Sequence, residues 1–320
     1  MMMNDMSMRR IVFAGGGTPL VKLIKIVNET TNYKSVEVAA IFVPEAEIDF
    51  FRHSFLNHPS LPIEAISHIE RGKFNGYQAL DNCDYLVSFN NMFLIDDKAV
   101  GLFRCGGINY HAGSLPEYAG SYTYQWAIRN NETSFASTVH WIEGKADAGP
   151  IICTRAFPVS PHETGLSLLM KCTNAAIEMM KEVFHDIDSS RTLLRIPQDL
   201  SRRRFYSIRD GINSGRIDWN SKTEKIECLV RAADFSPFPS PTYETYTETR
   251  TGIMKVLKTS LGRDQISGSP GTVIYIDNNG IEVTTGSTKS LILTSVVIGG
   301  QKFTPPNILK AGIEVGDCLG

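Results

Sequence analysis

Asn109 and His111 stand two residues apart in Gly107-Ile108-Asn109-Tyr110-His111, and Asp147 follows in Lys145-Ala146-Asp147-Ala148-Gly149. On an extended segment, side chains two apart point to the same side. A carboxamide and an imidazole then face one volume. A loop containing Gly113, Pro116 and Gly120 lies beyond them, and the acid arrives in a tight turn ahead of an apolar run. Acyl transfer needs a donor for an oxyanion, a base that can become an acid, and a charge that orients the base. Asn109 has amide N–H donors for the first task, His111 can take and return a proton, and Asp147 can hold it. No metal and no covalent intermediate is required by this set. Which of His111 and Asp147 moves which proton stays open at this level.

These groups need a scaffold, and the chain reads as one. Arg10-Ile11-Val12-Phe13-Ala14 before Gly15-Gly16-Gly17 reads as a buried first strand ending in a glycine turn, with Leu20, Leu23, Ile24 and Val27 as the core face of a helix. Val36–Val43, Tyr85–Phe89 and Gly107–His111 are the next predicted strands, with a helical stretch around Asp97–Phe103. Alternating strands and helices imply an α/β fold, a doubly wound, mostly parallel, Rossmann-like sheet. Ligands of such sheets bind beyond the carboxyl ends of the strands, where Asn109 and His111 fall. The glycine turn lacks the full Gly-x-Gly-x-x-Gly spacing, so it reads as a tight turn rather than a dinucleotide site. A long amphipathic helix is predicted over Thr164–Phe184, its methionine-rich face being core. Composition then shifts across Arg191–Gly215, a linker with Pro197, Arg202–Arg204, Gly211 and Gly215. A short helix near Lys222–Ala233 and the runs Gly271–Ile276, Ile281–Val283 and Leu291–Leu293 come next, the last three being hairpin grammar for a small β-barrel.

With 320 residues, 42% of them hydrophobic and 21% charged, the chain has an ordinary globular composition with room for two domains, which excludes disorder and fibrous folds. A formal charge of -2 gives no general field for nucleic acid or anionic membrane, so an anionic substrate needs a local cluster. The six cysteines form no Cys-x-x-Cys pair and read as buried hydrophobes in a reducing compartment. The polar start and the absence of a long apolar run point to a cytoplasmic protein with no membrane partner.

The longer pattern is more specific than the trio. Asn-x-His, Ser114-Leu115-Pro116, Gly120, the helix start Gln125–Ile128, the apolar strand Thr138–Ile142 and Asp147-Ala148-Gly149 resemble the N10-formyltetrahydrofolate-dependent formyltransferase family. Ser214–Trp219 and Ile226–Ala232 extend the resemblance to that family's C-terminal domain, an open barrel similar to an OB-fold. The resemblance implies a catalytic domain over residues 1–200, a linker over 201–220 and the OB-like β domain over 221–320. It places the family's catalytic Asn, His and Asp on Asn109, His111 and Asp147. It places the pterin of N10-formyltetrahydrofolate along Phe89–Ile95, against Asn91, Met92, Phe93 and Leu94, and against the turn with Ala146 and Gly149. Apolar Met92, Phe93 and Leu94 suit a flat heterocycle.

Tyr122 and Gln125 are expected to border the acceptor amine. Several relatives carry Arg where this chain has Ala119, so the cation for a phosphate is sought in Arg202, Arg203, Arg204 or Arg209, with Phe205 and Tyr206 beside them for stacking. Methionyl-tRNA formyltransferases carry a long basic insertion after the second strand. Here that region is the short, acidic Val43–Phe50, so nucleic acid is not expected and the favoured acceptor is a nucleotide-linked amino sugar. A tRNA acceptor and hydrolysis of the formyl-folate are the alternatives. A binding module without turnover fits less well, since the trio is intact. The polar β domain could pair two copies into a homodimer or cover the acceptor site.

Overall fold

The structure, a computed structural model, describes residues 8–29, 33–66, 80, 82–207, 209 and 215–320. Residues 1–7 of the polar start and, within the expected linker, Gly211 and Ser214 lie outside the described residues. The chain divides into two units, one of Met1–Ala119, Ala136–Phe157 and Lys171–Phe205, the other of Gly120–Phe135, Pro158–Met170 and Tyr206–Gly320.

The first unit is built on strands β1 (Arg9–Gly15), β2 (Val36–Pro44), β3 (Ile63–Ile66), β4 (Tyr85–Phe89) and β5 (Gly106–His111). After the two-residue strand β6 (Ala119–Gly120) come β7 (Ser134–Trp141) and β8 (Ile151–Pro158), and the sheet order is β3-β2-β1-β4-β5-β7-β8. From β3 to β5 every neighbour is parallel, and β7 runs antiparallel to β5. This is the doubly wound, mostly parallel sheet that the alternation implies. Ile11, Val12, Phe13 and Ala14 are fully buried because a central parallel strand has both faces covered. Helix α1 (Gly17–Glu29) and the part of the long α5 (Gly165–Asp188) from Lys171 on supply cover, with short α2 (Ile48–Ser54) and α3 (Asp97–Val100) in the same unit, whereas α4 (Thr123–Arg129) belongs to the second. Cys172, Ala176, Met180 and Val183 recur at three- and four-residue spacing and are buried, and Phe184 meets Phe13 edge-on at 6.0 Å. The methionine-bearing face is core, as its spacing indicates.

The strand order reverses between β1 and β4, which opens a crevice at their carboxyl ends. A Cβ on Gly15, at φ +151°, would stand 1.8 Å from the Phe89 carbonyl oxygen, so this crossing requires glycine. One turn on, the Glu47 carboxylate accepts from Gly17 N at 2.6 Å and occupies the amino end of α1, where a dinucleotide fold holds its phosphate. The tight-turn reading of Gly15–Gly17 stands, and part of the acidic segment turns inward.

In the second unit, after β9 (Phe205–Tyr206) and helix α6 (Thr223–Ala233), strands β10 (Tyr246–Thr249), β11 (Gly252–Leu261), β12 (Val273–Asp277), β13 (Gly280–Val283), β14 (Leu291–Ile298) and β15 (Gln301–Phe303) form an antiparallel sheet ordered β10-β11-β14-β13-β12, with β15 on β14. Met254, Val256, Val273, Ile281, Leu293 and Val296 fill its core with Ile226 and Val230 of α6. The hairpin of β12 and β13 turns at Asp277–Gly280, where Asp277 Oδ1 accepts from Asn279 N at 2.7 Å. Among the described residues no helix is long and apolar enough to cross a membrane.

Candidate active site

Strand β5 pairs with β7 so that Asn109 lies opposite His140 and His111 opposite Thr138. Opposed residues of antiparallel strands share a face. Tyr110, between them, faces the other way and stacks on Phe89 at 4.7 Å. The turn after β7 returns Asp147 to the same place, at φ +55°, in the left-handed region that aspartate tolerates better than most residues. Asp147 Oδ1 lies 3.5 Å from His111 Nδ1 and 3.6 Å from His140 Nε2. The structure therefore brings the three sequence-derived residues together and adds a second imidazole.

The hydrogen bonds assign the tautomers. His111 Nε2 stands 2.5 Å from the Tyr118 carbonyl oxygen, which can only accept, so this nitrogen carries the hydrogen. His140 Nδ1 likewise donates to the Trp141 carbonyl at 2.8 Å, and its Nε2 accepts from Asn109 Nδ2 at 3.1 Å. In their neutral forms both rings turn a bare nitrogen toward Asp147. A proton arriving on His111 Nδ1 would meet a carboxylate already in place. Burial lowers the His111 pKa, while the Asp147 charge and the Tyr118 carbonyl raise it and His140 lowers it again. Burial is the largest of these effects, so the neutral imidazole is favoured at His111.

The surrounding backbone leaves little freedom. A Cβ on Gly113 would sit 2.4 Å from His111 Nε2 and 2.6 Å from the Tyr118 oxygen. Thr138 Oγ1 donates to the Gly113 carbonyl at 2.8 Å and ties that loop to β7. A Cβ on Gly149 would meet the Trp141 carbonyl at 1.9 Å, so the turn carrying Asp147 passes hard against the strand end.

The loop after β4 keeps its shape through Asn91, whose Nδ2 donates to the Phe93 carbonyl at 3.0 Å and whose Oδ1 accepts from Phe93 N at 3.1 Å. Asn91 thus closes the loop, and the Phe93 backbone is already engaged. Met92 and Leu94 are 65% and 67% exposed, two large apolar side chains presented outward next to the crevice. Such exposure suits the wall of a slot for a flat heterocycle. The Ala146 carbonyl is taken by Arg203 Nη2 at 2.9 Å and the Gly149 carbonyl by Gln198 Nε2 at 2.6 Å.

The expected acceptor residues fare differently. Gln125 is 2% exposed; its Nε2 donates to the Ala232 carbonyl at 2.9 Å, and its Oε1 accepts from Thr242 Oγ1 at 2.9 Å. It is an internal strut of the second unit, where the sequence reading has it bordering an open acceptor. Tyr122, also in the second unit, has its hydroxyl pKa raised by burial and lines a cavity of about 10 Å³, room for about one water. Tyr206 packs on Trp126 at 5.1 Å and accepts from Asn130 Nδ2 at 3.2 Å. Of the arginines, Arg202 pairs with Glu117 and Arg203 holds Ala146, whereas Arg204 and Arg209 are exposed.

The formyl transferase model matches residues 9–184, and the formyl transferase C-terminal domain model matches residues 212–311. The chain belongs to the formyl transferase family. A methionyl-tRNA formyltransferase of Roseiflexus castenholzii is 30% identical over 220 residues, 67% of this chain and 66% of that protein, just under two thirds of its length. Among solved structures, the N-formyltransferase from Helicobacter canadensis in complex with folinic acid and dTDP-3-aminofucose superposes with a TM-score of 0.66 at 19% identity, over 92% of this chain and 100% of that one. WlaRD, a sugar 3N-formyl transferase solved with dTDP and 5-N-formyl-THF, gives 0.65 at 18% identity, over 89% and 97%. At such identities the two structures establish the formyl transferase fold.

His140 is the residue that motif reading misses. Its signal is the pairing itself: had Thr138–Ile142 been laid antiparallel to Gly107–His111, His140 would have fallen opposite Asn109. Gln198 is missed for another reason, since it lies in a segment that composition assigns to a linker, and Arg203, read there as a candidate phosphate cation, instead donates to the Ala146 carbonyl.

Proposed function

We propose that this formyl transferase moves the formyl group of N10-formyltetrahydrofolate to the primary amine of a nucleotide-linked amino sugar. The convergence of His111 and His140 on Asp147, with Asn109 hydrogen-bonded to His140, carries the chemical part of this reading. The folate supplies an acyl carbon on a nitrogen leaving group. Asn109 spends one amide hydrogen on His140 and keeps the second for a developing oxyanion, in a site where displaced water raises the value of each donor. His111 Nδ1 takes the amine proton, because its other nitrogen is committed to the Tyr118 carbonyl. Asp147 holds the resulting imidazolium at ion-pair distance, and the same nitrogen can return the proton to the leaving nitrogen. His140 sets the Asn109 carboxamide, its ring fixed by the Trp141 carbonyl.

For the acceptor, the short acidic segment after β2 supports a small molecule over tRNA. Glu45 and Glu47 stand where a phosphate-binding element would need Lys or Arg, and Glu47 is committed to the amino end of α1. The dTDP-3-aminofucose in the Helicobacter canadensis complex and the dTDP with WlaRD support the sugar-nucleotide class. The methionyl-tRNA formyltransferase likeness favours the second reading, a tRNA acceptor. A transfer assay with N10-formyltetrahydrofolate decides, reading tetrahydrofolate release and product mass across nucleotide-linked amino sugars, initiator methionyl-tRNA and buffer alone. Formyl mass on one sugar nucleotide is the expected result. Formyl on tRNA would overturn the acceptor, and folate turnover in buffer alone would make the protein a hydrolase.

A further inference from the structure

The turn that carries Asp147 closes on itself through Ala148 N to the Lys145 carbonyl at 3.1 Å, and it holds a non-glycine residue at positive φ. Its other carbonyls are gripped from outside. Gln198 Nε2 donates to both the Asp147 carbonyl, at 3.1 Å, and the Gly149 carbonyl, at 2.6 Å, while Arg203 Nη2 donates to the Ala146 carbonyl at 2.9 Å. The segment bearing these side chains is itself anchored. Ile196 exchanges two backbone hydrogen bonds with Ile151 of β8, at 2.7 and 2.9 Å, two residues before Gln198. The Arg203 guanidinium lies over the Phe205 ring at 4.9 Å. Gln198 Oε1 and Arg203 Nε are buried, so both groups grip from a largely dry side.

We infer that Gln198 and Arg203 are positioning residues that fix the Asp147 carboxylate between His111 and His140. The inference rests on the formyl-transfer reading of Asn109, His111 and Asp147. Bidentate donation by one carboxamide sets the spacing of the Asp147 and Gly149 carbonyls, and the guanidinium pins the residue before them. With three carbonyls in a span of four residues held, the turn backbone cannot carry the Asp147 side chain away from the imidazoles. Without the grip, the carboxylate would move, and a displacement of about 1 Å in such a constellation costs on the order of 100-fold in rate. The segment that composition presents as a linker is then part of the site's support.

The test compares full-length wild-type protein with Gln198→Leu, Arg203→Gln and Arg203→Lys. Each is assayed for kcat and KM on the accepted amine, for the pH profile, and for the His111 imidazole titration by NMR. Gln198→Leu and Arg203→Gln are expected to lower kcat about 10- to 100-fold with little change in amine KM. Their acid limb should move to lower pH, because a misplaced Asp147 no longer stabilises the imidazolium. Arg203→Lys, which keeps a donor for the Ala146 carbonyl, should recover part of the loss. A fall in thermal stability alone, with kcat and the acid limb unchanged in both Gln198→Leu and Arg203→Gln, would overturn the inference. Should Gln198→Leu fail to fold, the two Arg203 variants decide. If wild-type protein shows no turnover of N10-formyltetrahydrofolate, the functional reading fails instead. The imidazole titration then judges the grip alone: an unchanged His111 titration in the variants refutes it, and a lowered one sustains it.

Discussion

Replacing Asp147 by Asn is the sharpest perturbation of this site, because it removes a charge and little else. Asparagine is among the few residues at ease in the left-handed region that Asp147 occupies at φ +55°, so the turn should survive. The loss is the attraction between a carboxylate and a proton on His111 Nδ1, 3.5 Å away. Unit charges at that separation interact by about 5 kcal/mol at an effective dielectric of about 20. The Asn dipole returns part of this, leaving ~3 to 4 kcal/mol, or on the order of 100- to 1000-fold in rate at ~1.4 kcal/mol per decade. Steady-state tetrahydrofolate release should show the loss in kcat and kcat/KM alike, since the interaction forms only as the proton arrives. Removing the Asp147 charge also removes the main influence that raises the buried His111 pKa, so the acid limb should shift to lower pH. A variant within about fivefold of wild type, or an acid limb at its original pH, would refute the assignment of Asp147 as the partner of His111.

Other contacts make equally definite demands. Gly113→Ala would drive a Cβ to 2.4 Å from His111 Nε2. Activity should fall at least about 10-fold and stability by about 1 to 3 kcal/mol, checked by urea unfolding. Glu47→Gln removes a charged acceptor from Gly17 N at the amino end of α1 and should cost about 1 kcal/mol by the same measurement. His111, whose native pKa lies below the ordinary value, favours folding fully above pH ~6.5, and that contribution is lost as pH falls through the unfolded pKa toward the native one. Between pH 6.5 and 5.5 the wild type should therefore lose up to about 1 kcal/mol more than His111→Gln, as read from paired denaturation curves.

Much of the first unit is legible because its signals are local. Buried parallel strands are continuous apolar runs, and Tyr85–Phe89 is found at the very limits its composition suggests. The Thr164–Phe184 pattern is likewise realised as Gly165–Asp188, its spacing holding from Cys172 to Val183, while in the first turn Leu168 rather than Leu169 is fully buried. Elements that depend on partners are harder. Strand β3 has four residues and owes its existence to β2, and β11 reads Gly-Ile-Met-Lys-Val-Leu-Lys-Thr-Ser-Leu, where lysines on the open face blur the alternation. The acidic run after β2 is visible as composition, but its conversion of Glu47 into a cap for α1 depends on where Gly17 N ends up.

The same division runs through the site, and it explains which roles a motif can carry. Asn109 and His111 need only an extended backbone to share a face, so two letters of sequence suffice to pair them. Asp147 needs a turn, and its neighbouring glycine announces one. His140 needs a register between two strands, and Gln198 needs the fold of a segment about 50 residues beyond the turn it holds. Each added condition is a tertiary one, and each added residue acts by orienting another: His140 acts on Asn109, and Gln198 with Arg203 act on Asp147. Groups that meet the substrate are constrained by their own chemistry and leave a local signature. Groups that aim them are constrained by geometry, which many residue types could satisfy. The arginines show how local chemistry misleads when geometry is left out. Three in succession suggest a phosphate clamp, yet Arg202 pairs with Glu117 and Arg203 grips a carbonyl, so only Arg204 of that run is left exposed without such an engagement among the described residues. A phosphate-binding role for the run therefore has to rest on Arg204, and Arg204→Ala tests it without disturbing the support of Asp147.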